Sequence, residues 1–341
     1  MTEQMSMVGA LNAALRAELE ADEKVVLSGL DIGELGGVFR VTDRLAKDFG
    51  THRVITSPLG EAGIVGSAVG MALAGYRPVV EIQFDGFVFP AMNQLVTQLA
   101  KYRHRSDGRL SLPVVVRIPV GGGIGAVEHH SESPEAYFAH TPGLRVLCPS
   151  TPAEAYALLR AAIRSQDPVV FLEPKKSYWA KGEVDTAAGA ADPVELDRAR
   201  VVRPGRHLTI ATYGALVPTA LKAAAGLATD GTDGPGGPGG PGGGIEAEVI
   251  DLRTLAPLDH VTVVESVRRT GRLVVAHEAS QSGGIGAELA ARVQADAFYD
   301  LEAPVQRVTG HDTPYPPSRL EHDWLPNLDR LLDACDVALA F

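Results

Sequence analysis

Valine-rich apolar runs alternate along this chain with stretches of helical character, and this alternation restricts the possible folds most strongly. Five runs are apolar at consecutive positions, as buried strands are: KVVLSGLDI, RPVVEIQF, LPVVVRIPV, LRVLCP and PVVFLEP. Between them lie GIVGSAVGMALAG, PAMNQLVTQLAKY and TPAEAYALLRAAIRS. The last begins with Thr-Pro and has Glu154 in its first turn, a favourable helix start. The alternation predicts an α/β domain with a mostly parallel sheet over residues 1–185.

A polar segment, residues 186–204, interrupts this alternation and is predicted to link two domains, as the length of 341 residues also suggests. Alternation then resumes and predicts a smaller α/β domain over residues 205–341. Inside it, residues 230–244 include the tract GTDGPGGPGGPGGG. Such a tract buries too little apolar surface to order itself, so we expect a disordered surface loop. Its prolines lack amide donors and no Lys-Ser/Thr follows, which argues against a phosphate-binding loop.

Charge and cysteine content argue against several function classes. The net charge of −11 disfavours nucleic-acid binding, which needs basic patches to replace counterions. Only two cysteines occur, Cys148 and Cys335, and they form no CxxC pair, so a disulfide framework or a cysteine-based zinc site is not expected. The N-terminal residues lack the pattern of a secretory signal, and no apolar run approaches the ~20 residues that span a bilayer. We therefore expect a cytoplasmic protein without membrane contact.

One candidate site residue is Glu61, which opens a small-residue helix in SPLGEAGIVGSAVGMALAG. A first-turn carboxylate has a purely structural explanation, because the helix dipole stabilises it. Glycines, however, lower helix stability and often permit close approach of a ligand or another backbone. They recur here at Gly63, Gly66, Gly70 and Gly75. A poorly solvated carboxyl in such surroundings would hold or share a proton, so a functional role stays open beside the structural one.

A second candidate is the segment EHHSESPEAYFAH, residues 128–140. The preceding GGGIGA is a weak dinucleotide fingerprint, because Pro134 follows where an apolar helix is required. Zinc ligation by the histidines is disfavoured, since His129 and His130 are adjacent and fit poorly on one metal. Ser133 as cap and Pro134 at the first position predict a helix start. The two histidines would then lie at the sheet edge where α/β proteins bind ligands, which favours an acid/base or hydrogen-bonding role.

These segments carry a resemblance to a known family. SPLGEAG, EIQFDGFVFPAMNQLVTQLAK and GGGIGAVEHHSESPEAYFAHTPGLRVLCPS resemble the beta subunit of thiamin-diphosphate-dependent 2-oxoacid dehydrogenases. VIDLRTLAPLD and VVAHEASQSGGIGAE resemble the carboxy-terminal domain of that subunit, which belongs to the transketolase group. GGVFRVTDRL and EIQFDGFVFP are most similar to the branched-chain member. The resemblance implies a pyrimidine-binding domain with a parallel sheet, followed by a smaller α/β domain of the transketolase carboxy-terminal type.

The resemblance also implies roles for individual residues. The glutamate of the family's Pro-Leu-x-Glu motif falls on Glu61, which would meet the aminopyrimidine ring of thiamin diphosphate and share a proton with it. Phe87 matches the aromatic residue that packs on this ring, although an ordinary core role is the alternative. Gln83 would line the same pocket. His130, directly before Ser131, matches the histidine that assists acyl transfer to a lipoyl arm.

The resemblance also implies a monovalent-cation site, for potassium, in two further segments: the one around Val114 and AAIRSQDP. Its ligands would be Val114, Ala162, Ser165 and Asp167, mainly through backbone carbonyls. The alternative is a helix C-terminus whose carbonyls are satisfied by turns and water.

One motif of this cofactor class is absent. The chain contains no Gly-Asp-Gly, the motif that holds magnesium and the diphosphate, and FDG at Phe84–Gly86 is only a partial match. The resemblance therefore implies an alpha subunit that supplies this half, in an α2β2 heterotetramer. The expected activity is oxidative decarboxylation of a branched-chain 2-oxoacid, with acyl transfer to lipoyl-lysine of a dihydrolipoyl acyltransferase core. Alternatives are a pyruvate or acetoin dehydrogenase subunit, or a non-catalytic α/β subunit that binds NAD through GGGIGA.

Overall fold

The computed structural model describes residues 2–187, 195–230 and 244–341. The chain divides into two compact units. The first runs to Ile124 and continues from Glu128 to Leu196, and the second consists of Gly125–Val127 and Asp197–Phe341. The division after Leu196 lies inside the interval 186–204 that was predicted as a linker. The predicted Gly/Pro loop falls almost entirely on residues outside the described ones.

The first unit is built on a parallel sheet, as the valine-rich runs predict. Its strands pair in the order β6-β7-β5-β4-β2-β3, and every one of these pairings is parallel. A separate antiparallel pair, β1 with β8, joins the start of the chain to the end of the unit. The strands are β1 Thr2–Ser6, β2 Val25–Gly29, β3 Val54–Thr56, β4 Arg77–Glu81, β5 Val115–Val120, β6 Arg145–Leu147, β7 Val169–Pro174 and β8 Lys181–Asp185.

Helices complete the core of this unit, and α1 packs along α6. Glu18 of α1 is buried between them and accepts hydrogen bonds from Arg160 at 2.7 Å and Arg164 at 2.9 Å. The helix start predicted at Thr151 is confirmed, since its hydroxyl accepts a hydrogen bond from the Glu154 amide at 3.2 Å. The helices are α1 Met7–Ala21, α2 Leu45–Phe49, α3 Glu61–Leu73, α4 Tyr102–Arg105, α5 Glu135–Ala139 and α6 Pro152–Arg164.

The second unit contains a sheet of order β14-β13-β10-β11-β9, in which only the β9–β11 pair is antiparallel. Strand β9 lies within the interval predicted as a linker. Helix α7 packs with α11, and α8 packs with α9. The strands are β9 Arg200–Arg203, β10 Leu208–Thr212, β11 Ala247–Asp251, β12 Thr254–Ala256, β13 Leu273–Ser280 and β14 Gln306–Gly310. The helices are α7 Val217–Asp230, α8 His260–Thr270, α9 Ile285–Asp296, α10 Glu321–Trp324 and α11 Leu328–Leu339.

Two local predictions are corrected. The expected helix PAMNQLVTQLAKY is instead a 3-10 turn, Asp85–Ala91, followed by a π-helical segment, Asn93–Leu99. Within the π-helical segment the Thr97 hydroxyl donates to the Asn93 carbonyl at 2.6 Å, a bond that competes with the regular helical one. The second correction concerns Ser133, which is not a helix cap: α5 begins at Glu135 with Pro134 in the cap position and no side-chain cap.

No helix within residues 2–187, 195–230 and 244–341 combines the length and apolar character needed to cross a membrane.

Candidate active site

The predicted site residues of the first unit follow the carboxyl ends of neighbouring strands. Gln83 and Phe87 come after β4, and His130 comes after β5. Because parallel strands end at one edge of the sheet, their following loops converge there. A 3-10 turn, Glu128–His130, holds the histidine, and the Ser131 amide closes this turn by donating to the Glu128 carbonyl at 2.9 Å.

His130 is half-buried and packed between two phenylalanines. Its ring stacks on Phe84 with centroids 3.8 Å apart and planes at 17°, and it meets Phe87 edge-on at 5.2 Å. Its Nδ1 lies 2.8 Å from the His129 carbonyl, which requires Nδ1 to carry the proton. In this tautomer Nε2 has no hydrogen-bond partner among the described residues, and it can accept a proton from an incoming group. Phe87 and His130 are brought together as predicted residues of one site.

Glu61 is the first residue of α3, and its carboxyl forms no hydrogen bond or ion pair with any described residue. The side chain is partly exposed. Open space surrounds the helix start, since a Cβ added to Gly60 or Gly63 would meet no atom within 4 Å. The glycines at these positions therefore do not serve close packing against any part of the chain that the structure describes. The Glu61 carboxyl is therefore accessible, and it lies beside glycine backbone that no side chain covers.

Gln83 is directed toward the loop that follows β2. Its Nε2 donates to the Asp31 carboxylate at 3.2 Å. Asp31 adopts a left-handed backbone conformation with φ of 59°, which is uncommon for a residue other than glycine. The contact ties the loops after β2 and β4 together, and it leaves the Gln83 amide oxygen available to a ligand.

A buried charge cluster lies in the sheet beneath this edge. The Arg117 guanidinium binds Glu173 through two hydrogen bonds, at 2.7 and 2.9 Å, and Glu81 at 2.7 Å. The Tyr178 hydroxyl donates to Glu173 at 2.7 Å. Burial raises the pKa of the Glu81 carboxyl, although Arg117 opposes this effect. Two carboxylates thus share one guanidinium. These hydrogen bonds hold the buried side chains in fixed positions at the centre of the sheet.

The acidic residues flanking His130 differ in their surroundings. Glu128 is exposed, and its hydrogen bond with His129 at 3.1 Å lowers the pKa of the Glu128 carboxyl. Glu132 is half-buried, and this burial, helped by nearby Asp85, raises the pKa of the Glu132 carboxyl. Glu128 is thus a solvated loop charge, whereas Glu132 is not fully solvated.

The residues predicted for a cation site lie together around the C-terminus of α6 and the start of β5. The carbonyl of Val114 accepts from the Val169 amide at 2.9 Å, and that of Ala162 accepts from the Ser165 amide at 3.1 Å. The Ser165 carbonyl accepts from Arg77 at 3.1 Å. The Asp167 side chain forms ion pairs with Arg103 and Arg145.

The histidine segment, residues 128–140, is also a potential site of side-chain metal ligation. Within the described ranges, no group of three or more His, Cys, Asp or Glu residues is arranged to hold a metal ion. The dinucleotide fingerprint also lacks its required helix. GGGIGA leads into the 3-10 turn at Glu128–His130, and the next helix, Glu135–Ala139, has only 5 residues.

Sequence reasoning missed three residues that shape the site: Phe84, Asp85 and Lys175. Phe84 stacks on His130, and Asp85 forms a buried ion pair with Lys175 at 2.5 Å. Lys175 is distant in sequence, so no local pattern connects it with Asp85. The only available signal was a lysine at the end of a strand predicted to be buried, where a charge needs a partner.

Comparison with known proteins covers both units. The protein family described as "Transketolase, pyrimidine binding domain" matches residues 3–180, and the family "Transketolase, C-terminal domain" matches residues 197–331. The pyruvate dehydrogenase E1 component subunit beta of Leifsonia xyli subsp. xyli is 54% identical over 99% of this chain and 96% of its own. The 3-methyl-2-oxobutanoate dehydrogenase subunit beta of Mycobacterium tuberculosis is 52% identical over 99% and 93%. The 2-oxoisovalerate dehydrogenase subunit beta of Pseudomonas aeruginosa is 47% identical over 92% and 89%.

A solved structure supports the fold. A chain described as "Split gene transketolase, inactive beta4 tetramer" superposes with a TM-score of 0.77, at 22% identity and with 98% of each chain covered. The predicted fold class, two α/β domains of transketolase type, is confirmed. With the two family matches and the full-length similarity to E1 beta subunits, the chain belongs to the family of 2-oxoacid dehydrogenase beta subunits.

Proposed function

We propose that this chain is the beta subunit of a branched-chain 2-oxoacid dehydrogenase and is active only with an alpha subunit. The observation that carries the proposal is His130, held between Phe84 and Phe87 at the strand ends with its Nε2 free. Such a histidine can exchange a proton with the sulfur of a lipoyl group during acyl transfer. Similarity to branched-chain subunits from two organisms supports the substrate class.

The residues present fit one half of a thiamin diphosphate site. An aminopyrimidine ring requires an acid group for its nitrogen and an aromatic surface, and Glu61 and Phe87 offer these, with space at Gly60 and Gly63. Gln83 offers a polar edge. When bound, the cofactor supplies the carbon nucleophile and electron sink that 2-oxoacid decarboxylation requires. The role of Glu61 is to share a proton with the pyrimidine nitrogen.

The diphosphate half is assigned to the partner. The sequence contains no Gly-Asp-Gly motif, so an alpha subunit would hold magnesium and the diphosphate in an α2β2 heterotetramer. A dihydrolipoyl acyltransferase core would then receive the acyl group from this assembly.

A potassium ion is proposed near the C-terminus of α6, held by Val114, Ala162, Ser165 and Asp167. The donor chemistry supports this, because each carbonyl oxygen has two lone pairs and can bind a cation beside the hydrogen bond that it accepts at Val114, Ala162 and Ser165. The role of the ion would be to stiffen the turn between α6 and β7.

The test is the native mass and composition of the complex purified from its own cells. We expect two copies of this chain and two of a chain that carries the Gly-Asp-Gly motif, and we expect this chain alone to bind magnesium–thiamin diphosphate weakly. Tight cofactor binding and decarboxylation by this chain alone would contradict the split site.

A pyruvate dehydrogenase subunit is the second candidate function. It is favoured by the similarity to the pyruvate dehydrogenase E1 component subunit beta of Leifsonia xyli, whose 54% identity to this chain is close to the 52% of the Mycobacterium tuberculosis branched-chain subunit.

A further inference from the structure

A buried ion pair lies directly beneath the His130 loop. The Lys175 ammonium contacts the Asp85 carboxylate through Oδ1 at 2.5 Å, and both side chains are fully shielded from solvent. Lys175 also donates to the Pro119 carbonyl at 3.3 Å. The ammonium is therefore anchored to the end of β5, the strand from which the His130 loop departs.

The second carboxylate oxygen of Asp85 reaches the loop itself. Oδ2 accepts a hydrogen bond from the Glu132 amide at 2.8 Å. The Glu132 carbonyl in turn accepts from the Gly121 amide at 2.9 Å. Glu132 is thus fixed on both sides of its backbone, two residues after His130.

The residues beside Asp85 fix the other end of the loop. A Cβ added to Gly86 would lie 2.5 Å from the His129 carbonyl oxygen, so this backbone packs directly on the histidine segment. Phe84 stacks on the imidazole of His130. Three consecutive residues, Phe84, Asp85 and Gly86, therefore face three different residues of the loop, His130, Glu132 and His129.

Stability alone is a poor explanation for this pair. The cost of removing two charges from water largely offsets their attraction, and well-packed apolar residues often serve a fold as well. A charge pair has a property that apolar residues lack, because its carboxylate can also hold a backbone amide at a fixed point. Here that amide belongs to the loop that carries His130.

We propose that Lys175 and Asp85 are positioning residues, which hold the loop from His129 to Glu132 so that His130 Nε2 meets the lipoyl group during acyl transfer. This inference rests on the function proposed above. Lys175 orients the Asp85 carboxylate, and this carboxylate holds the Glu132 amide in place. Phe84 fixes the His130 ring by stacking on it.

The experiment uses the intact α2β2 complex and compares two rates. Reduction of dichlorophenolindophenol by the 2-oxoacid reports decarboxylation without acyl transfer, and acylation of a purified lipoyl domain reports the step that needs His130. We expect Lys175→Met to reduce lipoyl acylation about 10- to 100-fold, as for a displaced catalytic group, while the dye rate changes less than about threefold. Taking the ratio of the two rates cancels any loss of folded enzyme.

A paired variant separates positioning from stability. Asp85→Leu combined with Lys175→Met removes both charges, which should recover most of the stability lost in Lys175→Met. Lipoyl acylation should stay low, because Asp85→Leu removes the carboxylate that accepts from the Glu132 amide. Wild-type acylation by this double variant would overturn the proposal.

A matched control breaks a buried ion pair elsewhere in the same unit. Arg160→Met removes a partner of Glu18 between α1 and α6. It should lower the melting temperature without changing the ratio of the two rates. An equal change of this ratio in Arg160→Met and Lys175→Met would mean that Lys175 acts only through general stability, and would also overturn the proposal.

A structural readout makes the result independent of activity. Hydrogen–deuterium exchange at the Glu132 amide should accelerate at least about tenfold in Lys175→Met, since its charge-assisted hydrogen bond weakens. Unchanged exchange would contradict the positioning role. If the wild-type complex neither reduces the dye nor acylates the lipoyl domain, the proposed function fails instead, and the exchange measurement still reports on the loop.

Discussion

At the scale of single residues, His130 combines a fixed ring with a free nitrogen. Its Nδ1 is bonded to the His129 carbonyl, and Phe84 covers one face. Fixing one nitrogen selects the tautomer, and the opposite nitrogen then has a defined direction for proton exchange. This is the arrangement that a proton-transferring histidine needs.

The first prediction concerns this nitrogen. His130→Ala should reduce lipoyl acylation by about 100-fold or more, in the usual range for loss of a general acid/base, while cofactor affinity changes little. His129→Ala is the matched control, since it removes a ring that bonds to Glu128 and meets the His130 ring edge-on at 4.3 Å, but keeps the His129 carbonyl that holds His130 Nδ1. The measurements are lipoyl-domain acylation and the Kd of thiamin diphosphate. A large loss of cofactor affinity with near-normal acylation would instead assign His130 to cofactor anchorage.

A second residue-scale prediction concerns His277 on β13. It is fully buried, its Nδ1 lies 3.2 Å from the Ala279 carbonyl, and burial lowers the pKa of this histidine to about 4. The unfolded chain binds a proton near the ordinary pKa of 6.5, whereas the folded chain does so only near 4, so stability falls as the pH decreases between these values. From pH 7 to pH 5 the loss should be about 2 kcal/mol.

Urea unfolding of the wild type and His277→Gln at both pH values checks this expectation. The glutamine variant should lose about 2 kcal/mol less on acidification. Equal pH dependence in both proteins would show that His277 does not titrate between the two states.

At the scale of elements, the exposed glycines of α3 have no packing role among the described residues of this chain. Nothing lies within 4 Å of a Cβ added at Gly63 or Gly70, and only the Gln94 side chain approaches Gly66. Glycine costs a helix about 1 kcal/mol relative to alanine, so these positions weaken α3 without an internal benefit. A partner subunit that packs closely against α3 would account for them.

The prediction for α3 separates folding from assembly. Gly70→Ala should stabilise the isolated chain by up to about 1 kcal/mol, and Gly70→Leu should leave it folded because the added side chain enters open space. Gly70→Leu should nevertheless reduce recovery of the α2β2 complex, as judged by native mass. Full assembly of Gly70→Leu would indicate that this face of α3 stays free of partners.

Elements also show what the sequence could and could not predict. The parallel sheet and the Thr151 cap follow from local patterns, namely valine runs and a Thr-Pro start, and both are confirmed. The π-helical segment escaped prediction because α- and π-bonding differ only in which backbone carbonyl each amide reaches, and the spacing of apolar residues does not specify this. The Asp85–Lys175 pair escaped because its partners come from different strand ends and meet only after the sheet has formed.

At the scale of the whole molecule, the chain carries two complete α/β units but one incomplete set of cofactor motifs. The family resemblance implies the roles proposed for Glu61, Phe87 and His130, and the structure brings Phe87 and His130 together. Neither the sequence nor these contacts determine the side chain of the preferred 2-oxoacid, since part of that pocket would come from the alpha subunit.

The corresponding prediction is a ranking of substrates by the complete complex. We expect kcat/KM for 3-methyl-2-oxobutanoate to exceed that for pyruvate by about tenfold or more, because each additional buried methylene contributes about 1 to 3 kcal/mol to discrimination. Acetoin should be poorer still. The measurement is lipoyl-dependent turnover with all three compounds at equal enzyme concentration, and a preference for pyruvate would favour the second candidate function.

The buried cluster of Arg117, Glu81, Glu173 and Tyr178 has a consequence for how such chains can evolve. Removing Arg117 alone would leave two carboxylates in the sheet without a counter-charge, which costs several kcal/mol. Losing Glu173 alone would leave part of the buried Arg117 guanidinium and the Tyr178 hydroxyl without their hydrogen-bond acceptor. Each single substitution therefore lowers the stability of the fold, whereas replacing all four residues together by well-packed apolar residues is tolerable. Descendants of this sequence should consequently inherit the four residues as one block, or exchange them together.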